Sequence, residues 1–221
     1  MKNLLLWALA GLAIGCTSTA TVPQGSDAEM SFDGLVRVRN ATFDKVWIDP
    51  EIDLSVYDKI MLSNAKFEFR AVRSTGGSNY SSRSTFPISE QSQKRLIYEV
   101  TTTFREELGK SEYFTIVDAP GPDVLILEGG LLDIVSRVPP DRAGRGDVYL
   151  SRVGDATLVL ELMDSMSGET LVRATERRAA ERAGSGGLPA SNVSTWTEVR
   201  RLARRWGTKL RNGLDSVHKT G

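Results

Sequence analysis

Two stretches of helical periodicity with a strand-like segment between them constrain this chain more than any other feature. Leu96, Val100, Phe104 and Leu108 recur every four residues, and Trp196, Val199, Ala203, Trp206, Leu210 and Leu214 step by three and four. Each set lays one apolar stripe along an α-helix. Between them, Leu158, Leu160 and Leu162 fall on alternate positions, the period of a strand with one buried face. A striped helix and a one-faced sheet must each bury their apolar side, and they do so against each other. The expected fold is therefore α+β in two layers, an antiparallel or mixed β-sheet with two main helices packed on one face.

The remaining elements follow from local patterns. The helical pattern starts at Ser89 and can stop at Gly109 as a C-cap, while Thr195 and Glu198 have capping-box spacing for the closing helix. Residues 56–62 read as a strand, and Lys66-Phe67-Glu68-Phe69-Arg70 alternates charge with aromatic. Residues 114–117 form a short strand, and residues 123–135 a long one, kinked where Gly129-Gly130 relieves the pleat. Residues 157–163 and 169–178 make a hairpin around turn residues 164–168. Residues 74–84, 139–146 and 184–189 read as loops.

The first residues carry an address. Lys2 gives a positive start, and residues 4–14 form an eleven-residue apolar run, the length of a signal-peptide core and too short to span a bilayer. The run ends in Ala13-Ile14-Gly15-Cys16. This resembles the lipobox of bacterial lipoproteins, which implies cleavage before Cys16 and acylation of that residue; the alternatives are a core cysteine or a plain secretory signal cut near Ala20. By the same resemblance, Thr17 rather than Asp after the cysteine implies export to the outer membrane. The expected organisation is a cleaved signal over residues 1–15, lipidated Cys16 and a flexible tether over residues 16–43, and one periplasmic domain over residues 44–221.

Composition removes several chemistries. Cys16 and His218 are the single cysteine and the single histidine, and His218 stands three residues from the end, where chains usually fray. Hydrolase triads need a base poised near neutral pH, and zinc sites need several Cys or His ligands. No cofactor is expected. The 28 basic residues balance the 28 acidic ones, which argues against nucleic acid as a partner. Asp49, Asp53, Asp58, Glu161 and Asp164 leave open a carboxylate-dependent hydrolase or lyase of envelope glycans, against the simpler reading of turn and strand-edge residues.

Charge is uneven. Residues 171–221 hold eleven basic residues against four acidic ones. Arg200, Arg201, Arg204 and Arg205 flank the stripe of the closing helix and could contact an anionic surface, a glycan or an acidic protein; the alternative is a solvated face. Finally, Trp47-Ile48-Asp49-Pro50, residues 54–60, residues 161–169 and residues 206–215 together resemble a family of bacterial lipoproteins known only as a domain of unknown function. The resemblance implies an envelope lipoprotein with no assigned activity. The element order is also similar to small domains of Tol-system and secretion-pore lipoproteins, an analogy of fold alone. The expectation is a non-enzymatic binding or accessory module, held to the outer membrane through Cys16, with an envelope protein or an anionic glycan or lipid as partner.

Overall fold

The computed structural model describes residues 20–23, 25, 28–72, 84–139, 149–181, 188–189 and 192–219. Cys16 and the leader lie outside them, as do most of the expected loops over residues 74–84, 139–146 and 184–189. In chain order come β1 (Val36–Arg37), β2 (Lys45–Ile48), β3 (Lys59–Leu62), β4 (Lys66–Phe69), α1 (Glu90–Leu108), β5 (Thr115–Val117) and β6 (Val124–Ser136). They are followed by β7 (Tyr149–Leu150), β8 (Arg152–Asp164), β9 (Thr170–Glu181), β10 (Leu188–Pro189) and α2 (Asn192–Lys219). Eight strands form one mixed sheet in the order β1-β2-β9-β8-β6-β3-β5, with β4 also beside β6. Its β1 to β6 side is antiparallel, and β3 and β4 run parallel to β6. β7 and β10 make a separate two-stranded pair.

The fold is the expected α+β one, and its core is where the two periodicities meet. Leu158, Leu160 and Leu162 of β8 pack in one cluster with Val100 and Leu108 of α1 and Ala203, Trp206, Leu210 and Leu214 of α2. Ser89 caps α1, its hydroxyl accepting the Ser92 N–H, and Gly109 closes it. α1 and α2 run parallel, since Glu99 meets Arg200, Glu107 meets Thr208 and Ser111 meets Asp215 at a nearly constant separation along the chain.

Several sequence expectations differ from the structure. Residues 54–56 form a 3-10 turn capped by Asp53, so the strand expected over residues 56–62 begins only at Lys59. Gly129 and Gly130 sit in regular register opposite Leu160 and Val159 and mark no kink. They are needed for close approach: a Cβ on Gly130 would lie 2.9 Å from the Lys66 carbonyl oxygen. The irregularity comes later, at Asp133, whose φ of 54° accompanies a register shift between Leu132 and Val135. Asp133 answers that strain with ion pairs to Arg70 and Arg177. Thr195 and Glu198 lie inside α2, which starts at Asn192, and do not cap it.

The largest difference is at the start of the domain. The described residues of the expected tether, from residue 20 to Phe43, include folded ones: Leu35, Val36 and Phe43 are buried, β1 pairs with β2, and Thr21 exchanges both backbone hydrogen bonds with Arg39 at 3.0 and 2.8 Å. This segment lacks periodic hydrophobicity because backbone pairing along a sheet edge holds it.

Candidate functional site

A cleft of about 420 Å³ opens where the first halves of α1 and α2 meet the far ends of β6, β8 and β9. Its cause is legible along β8. The alternate positions of this strand read Leu162, Leu160 and Leu158 and then shrink to Ala156, and β9 brings Ala180 to the same end; Gly154 instead serves close approach, since a Cβ there would stand 2.5 Å from the Val135 carbonyl oxygen. The helices keep bulky residues here, with Leu96 and Val100 from α1 and Trp196, Val199 and Trp206 from α2, so space remains over the small ones. A volume of this size falls within the roughly 300–1,000 Å³ of small-molecule sites.

The lining is largely apolar. Asp155 is the single ionisable residue among the described lining residues, and its carboxylate accepts from Arg137 at 2.8 Å and Arg152 at 3.2 Å. Thr195 and Trp206 also line the cleft, and both Thr195 Oγ1 and Trp206 Nε1 are buried without a hydrogen-bond partner. A buried, unpaired polar group costs about 1–3 kcal/mol, so this end of the molecule is less well satisfied than an ordinary core.

The opposite end of the helix pair is saturated with polar contacts. The buried Glu107 carboxylate accepts from Lys110 at 2.5 Å and Thr208 at 3.0 Å, and pairs with Arg211 at 3.4 Å and Arg204 at 3.5 Å. Burial pushes its carboxyl upward, and the hydrogen bonds from Lys110 and Thr208 with the charges of Lys110 and Arg211 outweigh that, leaving it below the ordinary range. His218 is not frayed. Its Nε2 lies 2.9 Å from the Tyr57 carbonyl oxygen, and its ring stacks on Tyr113 at 5.3 Å. The Tyr57 phenol donates to Asp164 at 3.0 Å and is pushed up to about 12, by burial first and by Asp164 second.

The basic residues singled out in sequence are largely matched within the fold. Arg200 pairs with Glu99 at 3.0 Å, Arg201 with Glu198 at 2.5 Å and Arg204 with Glu107. Lys209 pairs with the fully buried Glu176 at 2.5 Å, and Arg178 pairs with the other oxygen of the same carboxylate. Arg205 is exposed, with no ion pair among the described residues. The carboxylates are dispersed: Asp49 and Asp53 hold turn N–H groups, Asp58 pairs with Lys59, Glu161 with Arg173, and Asp164 accepts from Ser167 N–H. None of them lines the cleft. Among the described residues no group of three or more His, Cys, Asp or Glu is placed to hold a metal, and no helix is long and apolar enough to cross a membrane. The reading of Cys16 as lipidated falls outside the described residues.

Fold and cleft together define an α+β domain with an apolar recess between its helical layer and one end of its sheet. The chain belongs to DUF3313, a family described as proteins of unknown function, whose profile matches residues 25–210. No curated protein matches it. Similar solved structures include the PelC dodecamer from Paraburkholderia phytofirmans, 12% identical over 74% of this chain and 96% of that one, with a TM-score of 0.37. Another is XCC0632 from Xanthomonas campestris, of the DUF330 family, 13% identical over 74% and 87%, with a TM-score of 0.39. A candidate lipoprotein from Caulobacter crescentus is 12% identical over 74% and 90%, with a TM-score of 0.35.

Proposed function

We propose that this chain is a lipoprotein, anchored in the outer membrane by acyl groups on Cys16 and facing the periplasm, whose domain binds an apolar envelope component in the cleft without converting it chemically. The observation that carries the reading is the lining of the cleft. Apolar side chains surround about 420 Å³ of space, and the one ionisable lining residue among those described is engaged by two guanidinium groups. Such a recess offers a hydrophobic ligand removal from water, and its described lining residues place no acid and base facing each other across a scissile bond. Arg205, exposed on α2, is the cation of the four left to meet an anionic partner at the surface.

The test uses the full chain produced in a bacterial host and extracted from membranes in mild detergent. Intact mass should begin at Cys16 with acyl groups, and Cys16→Ser should lose both the acyl mass and the membrane attachment. Native mass spectrometry should show an apolar ligand on the parent protein that is absent from the Ala156→Leu variant. An unlipidated mature chain overturns the anchor. Identical bare spectra for parent and variant overturn the ligand. Turnover of an envelope glycan that is lost on Asp155→Asn or Glu161→Gln would put an enzyme in its place.

A further inference from the structure

We propose that the outer edge of the sheet, along β1, lies against the membrane that holds the anchor and inserts Phe32 into it; this rests on the reading of Cys16 as acylated. The acylated cysteine lies a short length of chain from this edge. Backbone pairing begins at Thr21, which exchanges two hydrogen bonds with Arg39. Only residues 17–20 separate Cys16 from that pairing. Five steps of fully extended chain span at most about 18 Å, so the lipid cannot lie farther than that from the Arg39 end of this edge.

The same edge carries exposed apolar side chains. Residues 29–31 run beside β1 on its outer side: Met30 bridges Val36, Ser31 N–H donates to the Leu35 carbonyl and Arg37 N–H to the Glu29 carbonyl, both at 2.8 Å. Thr21 and Met30 therefore line one side of one strand, about 10 Å apart at the rise of a strand. Three of the eight exposed large apolar side chains among the described residues, Val22, Met30 and Phe32, belong to this segment.

The turn that carries Phe32 is held by its own hydrogen bonds. Phe32 is 95% exposed and Met30 64% exposed, yet the turn that presents the phenyl ring is tied down. Gly34 N–H donates to the Ser31 carbonyl, the Ser31 hydroxyl to Asp33 at 2.6 Å, and Gly34 takes a φ of +84° that favours glycine. Asp33 brings no unmatched charge to the tip, because Arg173 pairs with it at 2.6 Å. Within the fold the ring meets the Arg173 guanidinium, 5.6 Å from its centroid, a weak contact at an exposed site that leaves most of the phenyl surface in water. The larger gain comes when the ring leaves water, and an acyl phase lies within reach.

The experiment reconstitutes the lipidated full chain in vesicles of phosphatidylethanolamine with a minority of phosphatidylglycerol. Phe32→Cys, Met30→Cys and Tyr98→Cys are labelled with an environment-sensitive fluorophore; acylated Cys16 leaves the introduced thiol as the single reactive one. Tyr98, 66% exposed on α1, is the control, because α1 covers the half of the sheet that holds β3 and β4. The expected result is a blue-shifted emission at 32 and 30, quenched by nitroxide-bearing lipid, with a water-like emission at 98. Water-like emission at 32 in a protein whose mass shows acylated Cys16 overturns the inference and leaves the anchor standing. A mass without acyl groups removes the anchor and the inference with it.

Discussion

The two helices lie side by side over the sheet, but their two ends are built on opposite terms. Where they finish, every prominent polar group has an answer: Glu107 meets Lys110, Thr208, Arg204 and Arg211, Asp215 takes the Ser111 hydroxyl, and His218 reaches the Tyr57 carbonyl. Toward their starts the sheet offers Ala156 and Ala180, a cleft remains, and Thr195 Oγ1 and Trp206 Nε1, which line it, go unpaired. One end is closed by contacts that fold the chain. The other keeps room and unsatisfied groups, a local departure from good packing of the kind that functional sites show.

The sharpest way to break this contrast is to overfill the closed end. A Cβ on Gly207 would stand 2.9 Å from Glu107 Cβ and 3.2 Å from its Cγ. Gly207→Val should therefore destabilise the domain by about 3 kcal/mol, seen as a lower urea midpoint at unchanged slope. A parent-like midpoint would mean that the helices part easily there. Next in size is Tyr57→Phe, which removes the bond to Asp164 and should lower stability by about 1 kcal/mol at neutral pH.

The same variant gives a pH signature. The folded phenol, raised to about 12, stays protonated while the unfolded one ionises from its ordinary value of 10.0. Stability from this group is thus complete below pH 10 and is lost as pH climbs toward about 12, so the parent and the variant should converge over that window. A constant gap between them would detach Tyr57 from the alkaline limb. Smallest in stability and largest in consequence is Ala156→Leu at the open end. Placed in existing space, the added methylenes should change the urea midpoint by less than about 1 kcal/mol either way while removing the ligand. A loss as large as that from Gly207→Val would show that the cleft is as tightly packed as the closed end.

Much of the frame was legible because it rests on short-range chemistry. Ser89, the four-residue stripe of α1 and Gly109 specify a helix locally, and the alternating leucines of β8 with Asp164 and Gly168 specify a hairpin. What escaped depends on distance along the chain. The positive surplus of residues 171–221 is visible in sequence, but its matching partners Glu99, Glu107 and Asp133 come from elsewhere. His218 reads as a terminal residue until Tyr57, more than 160 positions earlier, supplies its carbonyl. Thr21 and Arg39 pair through backbone atoms alone, which leave no trace in side-chain pattern. The cleft did leave a signal, the shrinkage from Leu158 to Ala156 with Ala180 on the next strand, whose meaning needs the helices that stand over it.

β4 has one further consequence. Among the described residues it pairs only with β6, turning Phe67 and Phe69 toward the core while Lys66 and Glu68 project into solvent. Charges along an unpaired strand discourage a second strand from adding to it, and across the sheet the segments at Thr21 and residues 29–31 occupy the corresponding position beside β1. Molecules confined to a membrane surface collide far more often than the same number in free solution. The β4 and β1 flanks are thus guarded against strand addition, so for the anchored chain proposed above, crowding on a leaflet would raise the frequency of encounters without joining sheets along these two edges.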